Sequence, residues 1–334
     1  MRRLFSGFAK PDLAIDFGTA NTRVVTAGGG VAFDEPTLCC FTKGAQNGHP
    51  VATGAAAQVM RERTTGKLQI VRPLNRGVLA DISAARHFLA HAVQSSVGQR
   101  RLRSFRAIIG VPADATKAER GALLTAARDA GLGAVDLLPE PLVAARGAGL
   151  PVDKSQGSMI VECGAGTTEA AILSLGGICA FASRRGGGDA LDAAIADHLH
   201  FQHKFLIGAT TAERIKRELV GLRSEETLQQ AEIIIKGRSL VTRLPQVISL
   251  PVQDLLPVVA RHTDGITKLV VDLLGRLSPE LSRDIHDHGI VLTGGSAAID
   301  LVKSALVRAT GLHVAVAPDA PHCVARGLQQ VLSA

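Results

Sequence analysis

The sequence predicts an α/β protein, and three observations carry that reading. Short apolar runs alternate with segments of helical period along most of the 334 residues, the pattern of sheets covered by helices. A unit of strand, carboxylate, Gly/Thr turn and strand occurs twice, around Asp16 and around Glu162. Hydrophobic residues make up 46% and charged residues 20%, enough to bury a sizeable core and too ordinary a balance for a disordered or coiled-coil chain.

The elements follow in order. Leu13–Phe17 and Arg23–Thr26 read as strands, split where Gly18-Thr19-Ala20-Asn21 supplies turn residues. A mixed strand-and-loop stretch runs on to Val71. Ser83–Val97 has helical period. Ala107–Val111 is a strand stopped by Pro112, and Lys117–Ala130 is a helix closed by Gly131 and Gly133. Val135–Leu138 is a short strand, and Pro141 suits the first turn of a helix through Gly147. Gly147-Ala148-Gly149-Leu150-Pro151 reads as a boundary between lobes. Beyond it, Ser158–Val161, Glu169–Leu175 and Ile178–Ser183 are strands, and Asp189–Phe201 and Thr210–Val220 are helices. Glu232–Ile235 and Val247–Leu250 are β-like, and Val252–Leu277 reads as one long helix. Gly289–Thr293 is a strand, followed by Gly294-Gly295 and a helix to about Thr310. A strand at His313–Val316 and a helix near Val324–Leu332 close the pattern.

Composition narrows the function. A net charge of +7 is a mild excess that suits an anionic membrane, a nucleic acid or a nucleotide. Aromatics are only 3%, with no Trp and no Tyr, so a stacking surface for single-stranded nucleic acid is poorly supplied and no nucleic-acid partner is expected. Five cysteines without a CxxC pair suggest buried, reduced thiols in a cytosolic setting. His198, His200 and His203 lack ligand-like spacing, and His286 and His288 read as a polar helix end. No apolar run approaches a membrane span, and the N-terminus has no secretory signal. Met1, Leu4, Phe5 and Phe8 nevertheless share one helical face beside Arg2, Arg3 and Lys10. A short basic amphipathic segment of this kind can lie in a membrane interface or dock on the protein body.

The doubled hairpin carries the chemistry. Leu13–Phe17 leads into Gly18-Thr19-Ala20-Asn21-Thr22, and Met159–Cys163 leads into Gly164-Ala165-Gly166-Thr167-Thr168. Tight glycine turns expose backbone N–H groups that can cradle phosphate oxygens, and Thr19, Thr167 and Thr168 add hydroxyls. Asp16 and Glu162 could hold Mg²⁺ directly or through its waters. Either hairpin alone is an ordinary β-turn; the pair, half a chain apart, suggests two halves facing one cleft. Gly294-Gly295-Ser296, at the exit of an apolar strand, could receive a nucleoside. The absence of GxxxxGK[ST] excludes a P-loop protein, and the absence of a clean GxGxxG disfavours a dinucleotide fold.

These residues resemble the actin-like ATPase superfamily, and within it the bacterial MreB proteins. The resemblance rests on Asp16-Phe17-Gly18-Thr19-Ala20-Asn21-Thr22, Asp34-Glu35-Pro36-Thr37, Arg72-Pro73-Leu74 with Gly77-Val78-Leu79-Ala80-Asp81, and Gly110-Val111-Pro112. It continues through Glu140-Pro141-Leu142, Gly187-Gly188-Asp189, Leu206-Ile207-Gly208, Thr211-Ala212-Glu213-Arg214-Ile215-Lys216 and Leu292-Thr293-Gly294-Gly295, in order along the whole chain. It implies duplicated ribonuclease H-like cores in two lobes with ATP and Mg²⁺ between them. Lobe I would span 1–150, with a small subdomain about 42–80 and the C-terminal helix, about 322–334, returning to it. Lobe II would span 151–321, with a core of 151–190 and 251–321 and a small subdomain about 191–250. Asp16, Gly18, Thr19, Ala20 and Asn21 would form one phosphate loop, and Glu162, Gly164, Ala165, Gly166 and Thr167 the other. Glu140 would orient the attacking water. Glu213 and Lys216 would contact ribose and adenine, and Gly187, Gly188, Asp189, Gly294, Gly295 and Ser296 would complete the pocket. The family also implies polymerisation, membrane contact through Met1–Phe8, with Leu102–Phe105 as a weaker second contact, and cell-wall elongation membrane proteins as partners. The setting would be cytoplasmic, at the inner membrane face.

The chain departs from the family at Glu162, where Asp is usual, at Ala165, within a usual run of three glycines, at Pro139, where an acidic residue is usual, and at Arg185-Gly186-Gly187-Gly188. A longer carboxylate at 162 and a Cβ at 165 are expected to slow hydrolysis more than binding, so a slow ATPase is the expectation. Three rivals stand beside it. A small-molecule kinase on the same core needs substrate-binding elements for which there is no clear place. A chaperone of the superfamily needs a further substrate domain. A non-hydrolysing nucleotide-binding regulator is separable by experiment.

Overall fold

The structure is a computed structural model that describes residues 11–44, 48–98, 105–220 and 230–334. Met1, Leu4, Phe5 and Phe8, and residues 102–104, lie outside the described residues.

Two five-stranded sheets organise the chain, and they share one topology. In the first, Leu13–Phe17, Asn21–Thr26 and Gly30–Pro36 form an antiparallel meander, and Leu13–Phe17 also pairs in parallel with Arg106–Val111, which pairs in parallel with Ala134–Pro139. In the second, Ser158–Cys163, Thr167–Ser174 and Gly177–Arg185 form the meander, and Ser158–Cys163 pairs in parallel with Ile290–Thr293, which pairs with Val314–Val316. Both initial strands are buried along their whole length. Their near-continuous apolar runs are what a strand covered on both faces requires.

Local signals set the helices. Ile82–Val97 starts where the Asp81 carboxylate accepts the Ala84 amide at 2.8 Å. Lys117–Asp129 starts with a capping box between Thr116 and Glu119. The predicted Val252–Leu277 helix divides: Val252–Leu255 is a 3₁₀ turn, and an α-helix runs from Leu256 to Leu274 with Pro257 in its first turn. Proline fits there and not in a helix interior, because it lacks the N–H and its ring clashes with the preceding turn. A separate helix, Pro279–His288, follows a Ser278 cap and holds His286 and His288 in its last turn. A short helix, Gly54–Met60, lies inside the stretch that reads as mixed strand and loop.

The core comes in blocks. One packs the first sheet against Ile82–Val97 around Phe17, Phe33 and Phe88. Another packs the second sheet against Leu256–Leu274 around Val161, Ile172 and Ile266. A third joins Ala14 and Ile108 of the first sheet to Ile160 and Leu173 of the second through the helices Glu140–Gly147 and Cys323–Ser333. These two helices cross at glycine. A Cβ on Gly147 would collide with the Cys323 carbonyl, and one on Gly327 with the Val143 carbonyl. Small sheets sit outside: Cys39–Thr42 pairs with Ala52–Thr53 and Leu68–Val71, and Glu232–Ser239 pairs with Phe205–Leu206 and Pro245–Pro251.

Cys39, Cys40, Cys163 and Cys323 are buried, and burial pushes the Cys39 and Cys163 thiols up to about 12. Cys179 differs from the expectation: it lies exposed on Gly177–Arg185, the outer strand of its sheet. Among the described residues, no helix is long and apolar enough to cross a membrane.

Candidate functional site

Both hairpins open onto one cavity of about 480 Å³ between the sheets. Asp16, at the end of its strand, faces Arg23 in the adjacent strand, and the guanidinium contacts the carboxylate at 3.2 Å. Burial raises the Asp16 carboxyl, and Arg23 opposes that rise. The turn that follows is tied down: Thr37 Oγ1 donates to the Gly18 carbonyl at 2.7 Å, and the Gly77 amide donates to Thr19 Oγ1 at 3.1 Å. An oxygen accepting in that way keeps its own O–H to donate.

The second turn closes with the Gly164 amide on the Thr167 carbonyl at 2.9 Å. Its outward carbonyls are taken by the chain that starts the next helix. Gly186, Gly188 and Asp189 donate their amides to Gly166, Gly164 and Ala165 at 2.8, 3.0 and 3.0 Å. The two turns meet, since a Cβ on Gly166 would strike Thr19 Oγ1 and come within 3.0 Å of the Arg76 carbonyl carbon. Ala165 is absent from the positive-φ residues, so its Cβ brings none of the backbone strain expected from the sequence.

Thr293, Gly294, Gly295 and Ser296 line the far wall. Gly294 has φ +85°, and a Cβ there would run into the backbone of Cys163. Both restraints demand glycine. Glu213 and Lys216 enter from the helix Ala209–Val220. Lys216 Nζ donates to the Gly188 carbonyl at 3.2 Å and to Asp192 at 2.8 Å. Glu213 accepts from Arg217 at 2.7 Å.

Glu140 follows Pro139 at the start of Glu140–Gly147, beside Gly110. Burial raises its carboxyl well above the ordinary range, with further pushes from Glu162, Glu169 and Asp16. Glu162 is raised by burial, then by Glu169 and Asp16. Its Oε2 is buried and has no hydrogen-bond partner, as is Thr293 Oγ1. A carboxylate oxygen left bare beside Asp16 fits a cation, because an unpaired buried charge is costly.

Asp16, Gly18, Thr19, Ala20, Asn21, Glu140, Glu162, Gly164, Ala165, Gly166, Thr167, Gly188, Glu213, Lys216, Gly294, Gly295 and Ser296 all line this cavity. Gly187 and Asp189 are not in its wall. Gly187 packs on the Gly164 carbonyl, where a side chain would not fit, and Asp189 pairs with Arg72 at 2.9 Å. Sequence reasoning missed Glu169. It is 1% exposed and sits directly across the hairpin from Glu162. A tight turn at 164–167 makes 162 and 169 partners by counting alone, so the signal was present. It also missed Gly77, Val78 and Arg120 as lining residues, which come from a turn, a short strand and a helix that only folding brings together.

A family model for the MreB/Mbl protein matches residues 10–334. The chain is 38% identical to the cell shape-determining protein MreB of Escherichia coli strain K12 over 331 residues, 98% of this chain and 94% of that protein. It is 33% identical to the cell shape-determining protein Mbl of Bacillus subtilis strain 168 over 316 residues, covering 95% and 94%. Its structure is similar to that of MreB 5 of Spiroplasma citri bound to AMPPNP, with a TM-score of 0.88, 30% identity and coverage of 97% and 96%. The doubled sheet topology, the paired hairpins on one cleft and these end-to-end similarities agree, and the chain belongs to the MreB/Mbl family of actin-like proteins.

Proposed function

We propose that this chain binds ATP with Mg²⁺ in the cleft and polymerises into membrane-associated filaments that organise cell shape and wall synthesis. The observation that carries the reading is the meeting of the two turns at Thr19, Gly77 and Gly166, with Asp16 and Glu162 behind them on one cavity. The names of the relatives and the AMPPNP in the Spiroplasma protein support it.

In this reading residues 1–150 with the C-terminal helix form one lobe and 151–321 the other. The turn amides and the hydroxyls of Thr19 and Thr167 bind phosphate oxygens. Gly294, Gly295, Ser296, Glu213 and Lys216 receive the nucleoside. Asp16 and Glu162 would hold Mg²⁺, whose charge neutralises the β- and γ-phosphates when bound. Glu140, ionised, holds the attacking water and accepts its proton. Nucleotide across both turns favours a closed arrangement, and head-to-tail contacts between copies give an open filament when their rotation does not close. Met1, Leu4, Phe5 and Phe8 anchor each copy weakly to inner-membrane lipid, and assembly multiplies that contact. Wall-elongation membrane proteins are the expected partners on that surface.

Sedimentation with and without ATP and liposomes tests the reading. ATP should drive pelleting, and anionic liposomes should co-pellet. The Leu4→Glu, Phe5→Glu double variant should lose lipid and keep nucleotide. Phosphate release should fall about 100- to 10,000-fold in Glu140→Ala, the usual contribution of a general base. Equal release from that variant and the wild type favours the second reading, a regulator that binds nucleotide without hydrolysing it, which the extra methylene of Glu162 motivates.

A further inference from the structure

Glu140, Glu162 and Glu169 each present one oxygen within 4.8 Å of the other two. Two come from one hairpin, where Glu162 and Glu169 are direct cross-strand partners. Like charges in that position repel unless something lies between them. The third comes from the helix start that follows the first sheet.

Glu169 is almost wholly buried. Its Oε1 accepts the Ala113 amide at 2.9 Å, while its Oε2 and the Oε2 of Glu162 have no partner. The cations nearby are committed elsewhere. Arg185 bonds Asp114 at 2.9 Å and the Arg76 carbonyl at 3.2 Å and approaches Glu119 at 3.6 Å, and Arg23 bonds Asp16 and Asp34. Burial raises all three carboxyls, that of Glu169 to about 7, and repulsion within the set adds to the rise at Glu140 and Glu162.

Hard oxygen ligands of net negative charge select divalent cations such as Mg²⁺, Mn²⁺ and Ca²⁺. Opposed oxygens stand about 4.2 Å apart around Mg²⁺ and about 4.6–5.2 Å apart around Ca²⁺. All three oxygens lie within 4.8 Å of one another, inside the widest separation that ligands of one shared Ca²⁺ can have. We propose that Glu140, Glu162 and Glu169 directly ligate one divalent cation in the nucleotide-free protein, clamping the second hairpin to the helix start of the first half. The longer side chain at 162 is what lets this chain close the set: an Asp there would retract its carboxylate by one methylene from the other two. The site does not depend on the nucleotide reading, although it shares Glu140 and Glu162 with it.

The test is Mn²⁺ titration of the metal-stripped, nucleotide-free full chain, read by loss of the free-ion electron paramagnetic resonance signal and repeated with Mg²⁺ as competitor. The wild type should bind one Mn²⁺ with submillimolar affinity that Mg²⁺ displaces. Glu169→Gln keeps an oxygen for the Ala113 amide and should weaken binding about tenfold or more, as should Glu162→Asp. A wild type that binds no Mn²⁺ at millimolar concentration overturns the site, and that arm requires no variant to fold. Unchanged affinity in both variants overturns it as well. ATP binding measured separately with Mg²⁺ present distinguishes the two ideas: Mn²⁺ bound by a chain without affinity for ATP and Mg²⁺ together supports this site and sinks the nucleotide reading.

Discussion

Glu169 shows how one side chain can link protonation to folding. Its ordinary value is 4.5, and burial raises it to about 7 in the folded chain. The folded state therefore holds the proton more tightly than the unfolded state. The resulting stabilisation is present below about pH 4.5 and is lost as pH rises through about 7. In EDTA, the stability of the wild type relative to Glu169→Gln should fall between pH 5 and pH 8, read from denaturant midpoints. A difference that stays flat across that window would remove the buried-carboxylate account. The same physics bears on the role proposed for Glu140: a raised carboxyl must ionise before it can accept a proton, so in that role phosphate release should rise with pH.

At the scale of elements, the crossing of Glu140–Gly147 with Cys323–Ser333 is a close approach that the sequence hides. Gly147 and Gly327 are there because carbonyls of the opposite helix occupy the space of their side chains. Gly327→Ala should cost about 1–3 kcal/mol through overpacking of the shared core. Gly121 provides the contrast. It lies exposed within Lys117–Asp129, and a methyl group added to it would meet nothing within 4 Å, so Gly121→Ala should stabilise by about 1 kcal/mol through helix propensity alone. Chemical denaturation of both variants gives opposite signs if the crossing, and not glycine itself, sets the cost.

Across the whole molecule, contacts beside the cavity join segments far apart in sequence. Glu62, at φ +61°, accepts the amides of Ala209 and Thr210, and so caps a helix 147 residues away in sequence. Gly208 leaves room for that carboxylate. Arg61 approaches Glu213 at 3.7 Å, and Arg72 reaches both Asp189 and the Thr19 carbonyl, at 2.9 and 3.4 Å. A cap is worth about 1 kcal/mol, or about fivefold in an equilibrium. Glu62→Ala should therefore speed the release of a fluorescent ATP analogue about fivefold in stopped-flow measurements. An unchanged release rate would mean that these contacts do not hold the cleft shut.

The sequence by itself determined the alternation of strands and helices, the two acidic hairpins and the residues of both turns, because strand period, turn chemistry and capping act over a few neighbouring residues. It also held the pairing of Glu162 with Glu169, since hairpin register follows from turn length. It did not separate Val252–Leu255 from the helix after it, where a helical apolar pattern continues across the change. Tertiary structure alone decided that Gly187 and Asp189 support the cavity from outside, that Gly147 faces Gly327, and that Glu62 caps the opposite half. Those relations join residues tens to hundreds of positions apart, and only burial of the shared core brings them within bonding distance.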